Sequence, residues 1–101
     1  MKPAPFSYAR PSSVAAVVAL LAKHEGRARI IAGGQSLVPM MNFRMLAPDI
    51  LVDVNALSGL DHVREEGDAI AIGALARHAA IADDALVRRH LPMMAEAYRH
   101  V

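Results

Sequence analysis

Residues 29–41 read RIIAGGQSLVPMM. A short β-branched run, Arg29 to Ala32, stops at two glycines; a Gln-Ser pair follows; then a helix starts with Pro39 inside it. The run predicts a buried strand and the residues after Ser36 a helix, with Ser36 as its N-cap and Pro39 as its third residue. A proline costs nothing there, because first-turn N–H groups have no intrahelical partner. Two glycines at the join allow positive φ and let a ligand approach the backbone closely. The turn lies at the carboxyl end of a strand, where open α/β sheets bind ligands. Backbone N–H groups around Gly34, Gln35 and Ser36 converge there, and converging amides favour an anion such as phosphate. The spacing is neither G-x-x-x-x-G-K-[ST] nor G-x-G-x-x-G, so it names no nucleotide by itself. A tight strand-to-helix turn without a ligand fits the same spacing.

Working outward, residues 50–54 form a second strand, apolar on both faces apart from Asp53. Such strands belong to parallel sheets covered by helices, so strand, crossover and strand make a small βαβ unit. Residues 13–25 predict a helix capped by Ser12 or Ser13, with Val14, Val17, Val18 and Leu21 as its apolar stripe and Gly26 at its end. The segment before it is extended, contains three prolines, and is pinned by Phe6 and Tyr8. Met40, Met41 and Met45 read as gap-filling core residues of the short helix over 37–45.

The character changes at Leu57-Ser58-Gly59-Leu60. Residues 63–72 predict an antiparallel hairpin around Gly67-Asp68, with Ile70 and Ile72 on one face. Gly73-Ala74 leads into helical sequence over 75–82; Asp83 or Asp84 can cap the next helix, and Pro92 suits the first turn of a last one. Leu91, Met94, Ala95, Tyr98 and Val101 form a stripe still running at the last residue, which predicts the N-terminal part of something longer. The expected class is α/β to α+β: a βαβ parallel subdomain with flanking helices over 1–56, then the beginning of a second subdomain over 57–101.

Composition narrows the chemistry. The chain has 101 residues, a formal charge of +1 and 54% hydrophobic residues, which argues against disorder and against a nucleic-acid footprint. Cysteine is absent, which excludes disulfides, thiol nucleophiles and zinc–thiolate sites and fits a reducing compartment such as the cytoplasm. Residues 14–22 after Lys2 and Arg10 could pass for a signal peptide, but the capped, periodic helix is the preferred reading. No apolar run approaches the ~20 residues of a membrane span. The five histidines lack the i, i+3 or i, i+4 pairing of a metal site. His78 reads as a surface or partly buried residue, Asp53 as a partner for backbone in preference to a ribose, and Ser36 as a cap rather than a nucleophile. No catalytic acid, base or nucleophile is expected.

Three stretches carry a resemblance. KPAPFSYARPSSVAAVVALLA, AGGQSLVPMMNFRM followed by APDILVDVN, and AIGALARHAAI occur in this order. The sequence resembles the N-terminal part of the FAD-binding (medium) subunit of molybdenum hydroxylases, of the carbon monoxide dehydrogenase type (PCMH-type FAD-binding domain). The resemblance implies that Ala32, Gly33, Gly34, Gln35 and Ser36, flanked by Ile31 and Leu37, hold the FAD diphosphate. It implies a second contact at Ile72, Gly73 and Ala74. Ala76 stands where relatives often have Thr, which weakens the case for Arg77 and His78. It implies an oxidoreductase passing electrons from a molybdenum-cofactor large subunit and a 2Fe–2S small subunit through FAD to an external acceptor. The family's second flavin motif, of T-I-G-G type, is not in these residues. A fragment that keeps the fold and subunit contacts without binding FAD, and an unrelated nucleotide-binding module, are the competing expectations.

Overall fold

The computed structural model describes residues 1–101 and divides into two compact units, Met1–Ser58 and Gly59–Val101. In the first unit β1 (Ser7–Ala9), α1 (Val14–His24), β2 (Ala28–Ile31), α2 (Leu37–Asn42) and β3 (Ile50–Asp53) follow in order. The three strands form one parallel sheet in the order β1-β3-β2. Ile50 pairs with Ser7 on one side and Ala28 on the other; Val52 pairs with Ala9 and Ile30. The centre falls to β3 because Ile50, Leu51 and Val52 are apolar on both faces and all buried, Val52 completely. Val17, Ala28, Met41 and Val54 complete that core.

The parallel βαβ unit is as expected, with one strand more. The sequence predicts only extended chain at residues 7–9; they pair with β3, and the Ser7 N–H reaches the Asp49 carbonyl at 2.8 Å. Prolines 5 and 11 bracket this strand, and proline is tolerated beside an edge strand. Helix α1 starts where predicted: the Ser13 hydroxyl accepts from the Ala16 N–H at 3.1 Å. Its stripe needs correction, because only Val17 is buried while Val14 and Val18 are more than half exposed. Glu25, at φ 44°, takes the left-handed C-cap position just ahead of Gly26. Helix α2 is shorter than 37–45, ending at Asn42; the Met45 N–H bonds back to the Met40 carbonyl at 2.9 Å. Met41 is core, but Met45 is 71% exposed, so the methionine stripe fails with the helix.

The second unit begins with the predicted hairpin, β4 (Val63–Glu66) and β5 (Ala69–Ile72), in register Val63↔Ile72 to Glu66↔Ala69. Three short helices follow: α3 (His78–Asp83), α4 (Ala85–His90) and α5 (Pro92–Tyr98). Ile81, Val87 and Ala95, one from each helix, form the buried core, with Val63 and Ile72 of the hairpin packed against it. The helix expected over 75–82 starts three residues late. The Leu75 N–H donates to the Leu60 carbonyl at 2.7 Å and the Ala76 N–H to the Gly73 carbonyl at 3.0 Å, so residues 73–76 form turns instead. Asp84 caps α4, accepting from the Leu86 and Val87 N–H groups at 2.8 and 3.2 Å. Pro92 opens α5 as expected. That helix ends at Tyr98, so Val101 leaves the stripe and lies exposed.

Candidate functional site

Five residues, Ala32 to Ser36, join β2 to α2. Gly34 has φ +75°, and a Cβ there would meet Val38 Cγ2 at 3.1 Å and Ile31 Cδ1 at 3.3 Å. The turn itself therefore requires this glycine. Gly33 differs: nothing lies within 4 Å of where its Cβ would be. No packing inside the protein asks for glycine at 33, where a side chain would meet only open space.

The carbonyls of Gly34 and Ser36 accept from the Val38 and Met40 N–H groups at 3.0 and 3.3 Å. The N–H groups of Gly33, Gly34, Gln35, Ser36 and Leu37 donate to no protein acceptor. Ser36 stands at the N-cap position but, contrary to the expected role, makes no capping bond. Its backbone is already helical (φ −101°, ψ −41°), whereas capping needs an extended residue to swing the oxygen over the next turn. Pro39 is the third helical residue, as expected.

The carboxyl ends of all three strands are tied together beside this turn. The Tyr8 hydroxyl, on β1, donates to Asp53 Oδ2 at the end of β3. Asp53 Oδ1 accepts from the Asn55 backbone N–H at 2.8 Å and from Asn55 Nδ2 at 2.7 Å. Asn55 Nδ2 also donates to the Ala32 carbonyl at 2.9 Å, and the Val54 N–H to the Ile31 carbonyl at 3.1 Å. The Tyr8 bond and the backbone N–H of Asn55 hold the Asp53 carboxyl below its ordinary range. The same Tyr8–Asp53 bond raises the phenol above its usual value. Asp53 thus binds side chain and backbone within its own unit. The only sequence signal for Asn55 is the Asp-x-Asn spacing that closes an Asx-type turn after a strand.

In the second unit, Ile72 ends β5, and Gly73 and Ala74 turn away from it. A Cβ on Gly73 would fall 2.1 Å from the Leu60 carbonyl oxygen, and the Gly73 N–H already donates to the His62 carbonyl at 2.8 Å. That glycine is explained by the close approach of the 60–61 backbone inside its own unit. His78 opens α3, exposed, with its ring 4.9 Å from that of Tyr98. A cleft of about 630 Å³ in this unit is lined by Glu65, Gly67, Asp68, Ala69, Ile70, His90 and Leu91, none of them an expected site residue.

Comparison with known proteins gives the family. The family model described as the FAD binding domain in molybdopterin dehydrogenase matches residues 4–101. This chain belongs to that family. As a molybdopterin dehydrogenase FAD-binding domain, it is 42% identical to the caffeine dehydrogenase subunit beta of Pseudomonas sp. (strain CBB1), covering 100% of this chain and 34% of that protein. It is 47% identical to the 6-hydroxypseudooxynicotine dehydrogenase complex subunit alpha of Paenarthrobacter nicotinovorans, covering 96% of this chain and 33% of that one. Its fold superposes on carbon monoxide dehydrogenase from Hydrogenophaga pseudoflava with a TM-score of 0.94 at 39% identity, over 98% of this chain and 34% of the other. The chain spans about a third of the length of these relatives.

FAD is the cofactor of this family. The first turn fits the diphosphate part of such a molecule: it offers amides with no internal acceptor and a glycine whose missing side chain leaves open space. The molybdopterin dehydrogenase FAD-binding domain also has no helix long and apolar enough to cross a membrane.

Proposed function

We propose that this chain holds the diphosphate of FAD in the flavin subunit of a molybdenum hydroxylase-type oxidoreductase. The residues that do so are Ile31, Ala32, Gly33, Gly34, Gln35, Ser36 and Leu37, with Ile72, Gly73 and Ala74 as a second contact. The observation that carries this reading is the run of unsatisfied N–H groups from Gly33 to Leu37 beside the open face of Gly33. Hydrogen bonds from amides to a charged oxygen contribute about 1.5–3 kcal/mol each. The Ser36 hydroxyl, released from capping, adds a further donor.

Bound FAD supplies the redox chemistry, accepting electrons from one partner and giving them to another. The chain's own residues bind and orient it, and none acts as acid, base or nucleophile. In the full assembly electrons come from 2Fe–2S clusters of a small subunit, fed by a molybdenum-cofactor large subunit, and leave to an external acceptor, in the cytoplasm. Residues 1–56 and 57–101 serve as the first subdomain and the beginning of the second. The matched relatives are named for caffeine, 6-hydroxypseudooxynicotine and carbon monoxide. One segment shared across such different molecules supports selection of the oxidised substrate outside this chain.

Titration of the chain into FAD, read by flavin fluorescence quenching and by Tm, tests the reading. FAD at a hundred times its Kd raises stability by about 2.7 kcal/mol, several degrees for a domain of this size. An unchanged Tm and unquenched flavin leave a fragment that keeps the fold without the cofactor. An equal response to ADP and FAD points to a general nucleotide module.

A further inference from the structure

We propose that Asn55 is a positioning residue for the cofactor turn, fixing the orientation of the Ala32–Gly33 peptide and, through it, the direction of the Gly33 N–H. This rests on the reading of that turn as the FAD diphosphate site. The argument is geometric. Asn55 Nδ2 donates to the Ala32 carbonyl oxygen at 2.9 Å. That oxygen and the Gly33 N–H belong to one planar trans peptide group and point in opposite directions. Holding the carbonyl on one side therefore aims the amide to the other. The N–H so aimed belongs to the residue with open space around its missing side chain, and it has no acceptor in the protein.

The control is needed at this peptide because Gly33 and Gly34 follow it, and a Gly-Gly pair resists peptide rotation less than any other. It is also well anchored. Asn55 is itself held through its side chain and its backbone by Asp53 Oδ1, and Asp53 Oδ2 is held by Tyr8. A line of hydrogen bonds runs from β1 through the end of β3 to the residue after β2. Each member polarises the next, and an accepted bond at the Ala32 carbonyl strengthens the Gly33 N–H as a donor.

The test uses the whole 101-residue chain in four forms: wild type, Asn55→Ala, Asn55→Asp and Ser13→Ala. Asn55→Asp keeps the shape but replaces the donor with a carboxylate oxygen facing two acceptors. Ser13→Ala removes the cap of α1 in the same unit and serves as a control for lost stability. Without FAD, the Gly33 amide resonance in a ¹H–¹⁵N spectrum shifts in both Asn55 variants and stays in place in Ser13→Ala. With FAD, both Asn55 variants bind roughly tenfold more weakly by fluorescence quenching, the loss of about one well-aimed bond to a charged oxygen, while Ser13→Ala binds within about twofold of wild type. A Gly33 resonance unmoved by Asn55→Asp overturns the inference. So does wild-type affinity in a variant whose Gly33 resonance has moved, or an equal loss in Ser13→Ala. A wild-type chain that leaves flavin unquenched removes the site reading instead, and the Gly33 resonance then decides the peptide's orientation by itself.

Discussion

Tyr8 and Asp53 meet across 45 residues of sequence, the phenol donating to the carboxylate and closing the sheet at its carboxyl end. This bond sets how stability depends on pH. Asp53 is depressed below its ordinary 3.8, so its contribution is complete above that value and is lost as pH falls through the lower folded value. Tyr8 is raised above 10.0, so its contribution is complete below that value and is lost as pH rises beyond it. Melting temperatures followed from acid to alkali show a limb at each end. Asp53→Asn flattens the acid limb relative to wild type, and Tyr8→Phe flattens the alkaline one.

The paired glycines separate by substitution. Gly34→Ala forces a side chain into a left-handed backbone and loses about 1–2 kcal/mol of stability. Gly33→Ala has room and no positive φ, so it gains about 0.4–1 kcal/mol through the unfolded chain. Its cost falls on binding: the new methyl group occupies the open face and weakens FAD by more than tenfold in a quenching titration. A destabilised Gly33→Ala chain with unchanged FAD affinity contradicts this division.

At Gly73 the order is reversed. A Cβ there collides with the Leu60 carbonyl, a backbone atom that cannot swing aside. Gly73→Ala therefore costs about 1–3 kcal/mol or more by overpacking, whether or not FAD is present. Urea unfolding with and without FAD separates the two effects: the loss appears in both.

Asp84 holds the start of α4 by accepting from two first-turn N–H groups. Asp84→Ala lowers stability by about 1 kcal/mol, and Asp84→Asn or Asp84→Ser recovers most of it. Thermal unfolding shows the loss as a Tm lower by about 4–8 °C in a chain of this size.

The sequence was most legible where one residue type has one physical use. Asp84 and Ser13 cap because their oxygens reach the first-turn amides, and Pro92 opens a helix because its φ already fits. The hairpin was legible from alternation around Gly67-Asp68. Long-range partners were not. The strand at Ser7–Ala9 has no pattern of its own, and it exists because β3 has a second edge to be paired and Tyr8 a carboxylate to meet. The α1 stripe misled because a helix of alanine and valine is apolar all round, so spacing could not say which side is covered. At the candidate site, the turn and its unsatisfied amides were legible, while Ser36 failed as a cap because its backbone had already become helical. Asn55 stayed hidden because its role depends on Ala32, 23 residues away.

The strand order β1-β3-β2 also constrains how the chain matures. The first two strands to be synthesised share no ladder; each pairs only with the third. Until Ile50 emerges from the ribosome the nascent chain has two strands with nothing between them, and α1 has no finished floor to settle on. Both ladders wait for β3, and such non-local pairing is slow compared with helix formation.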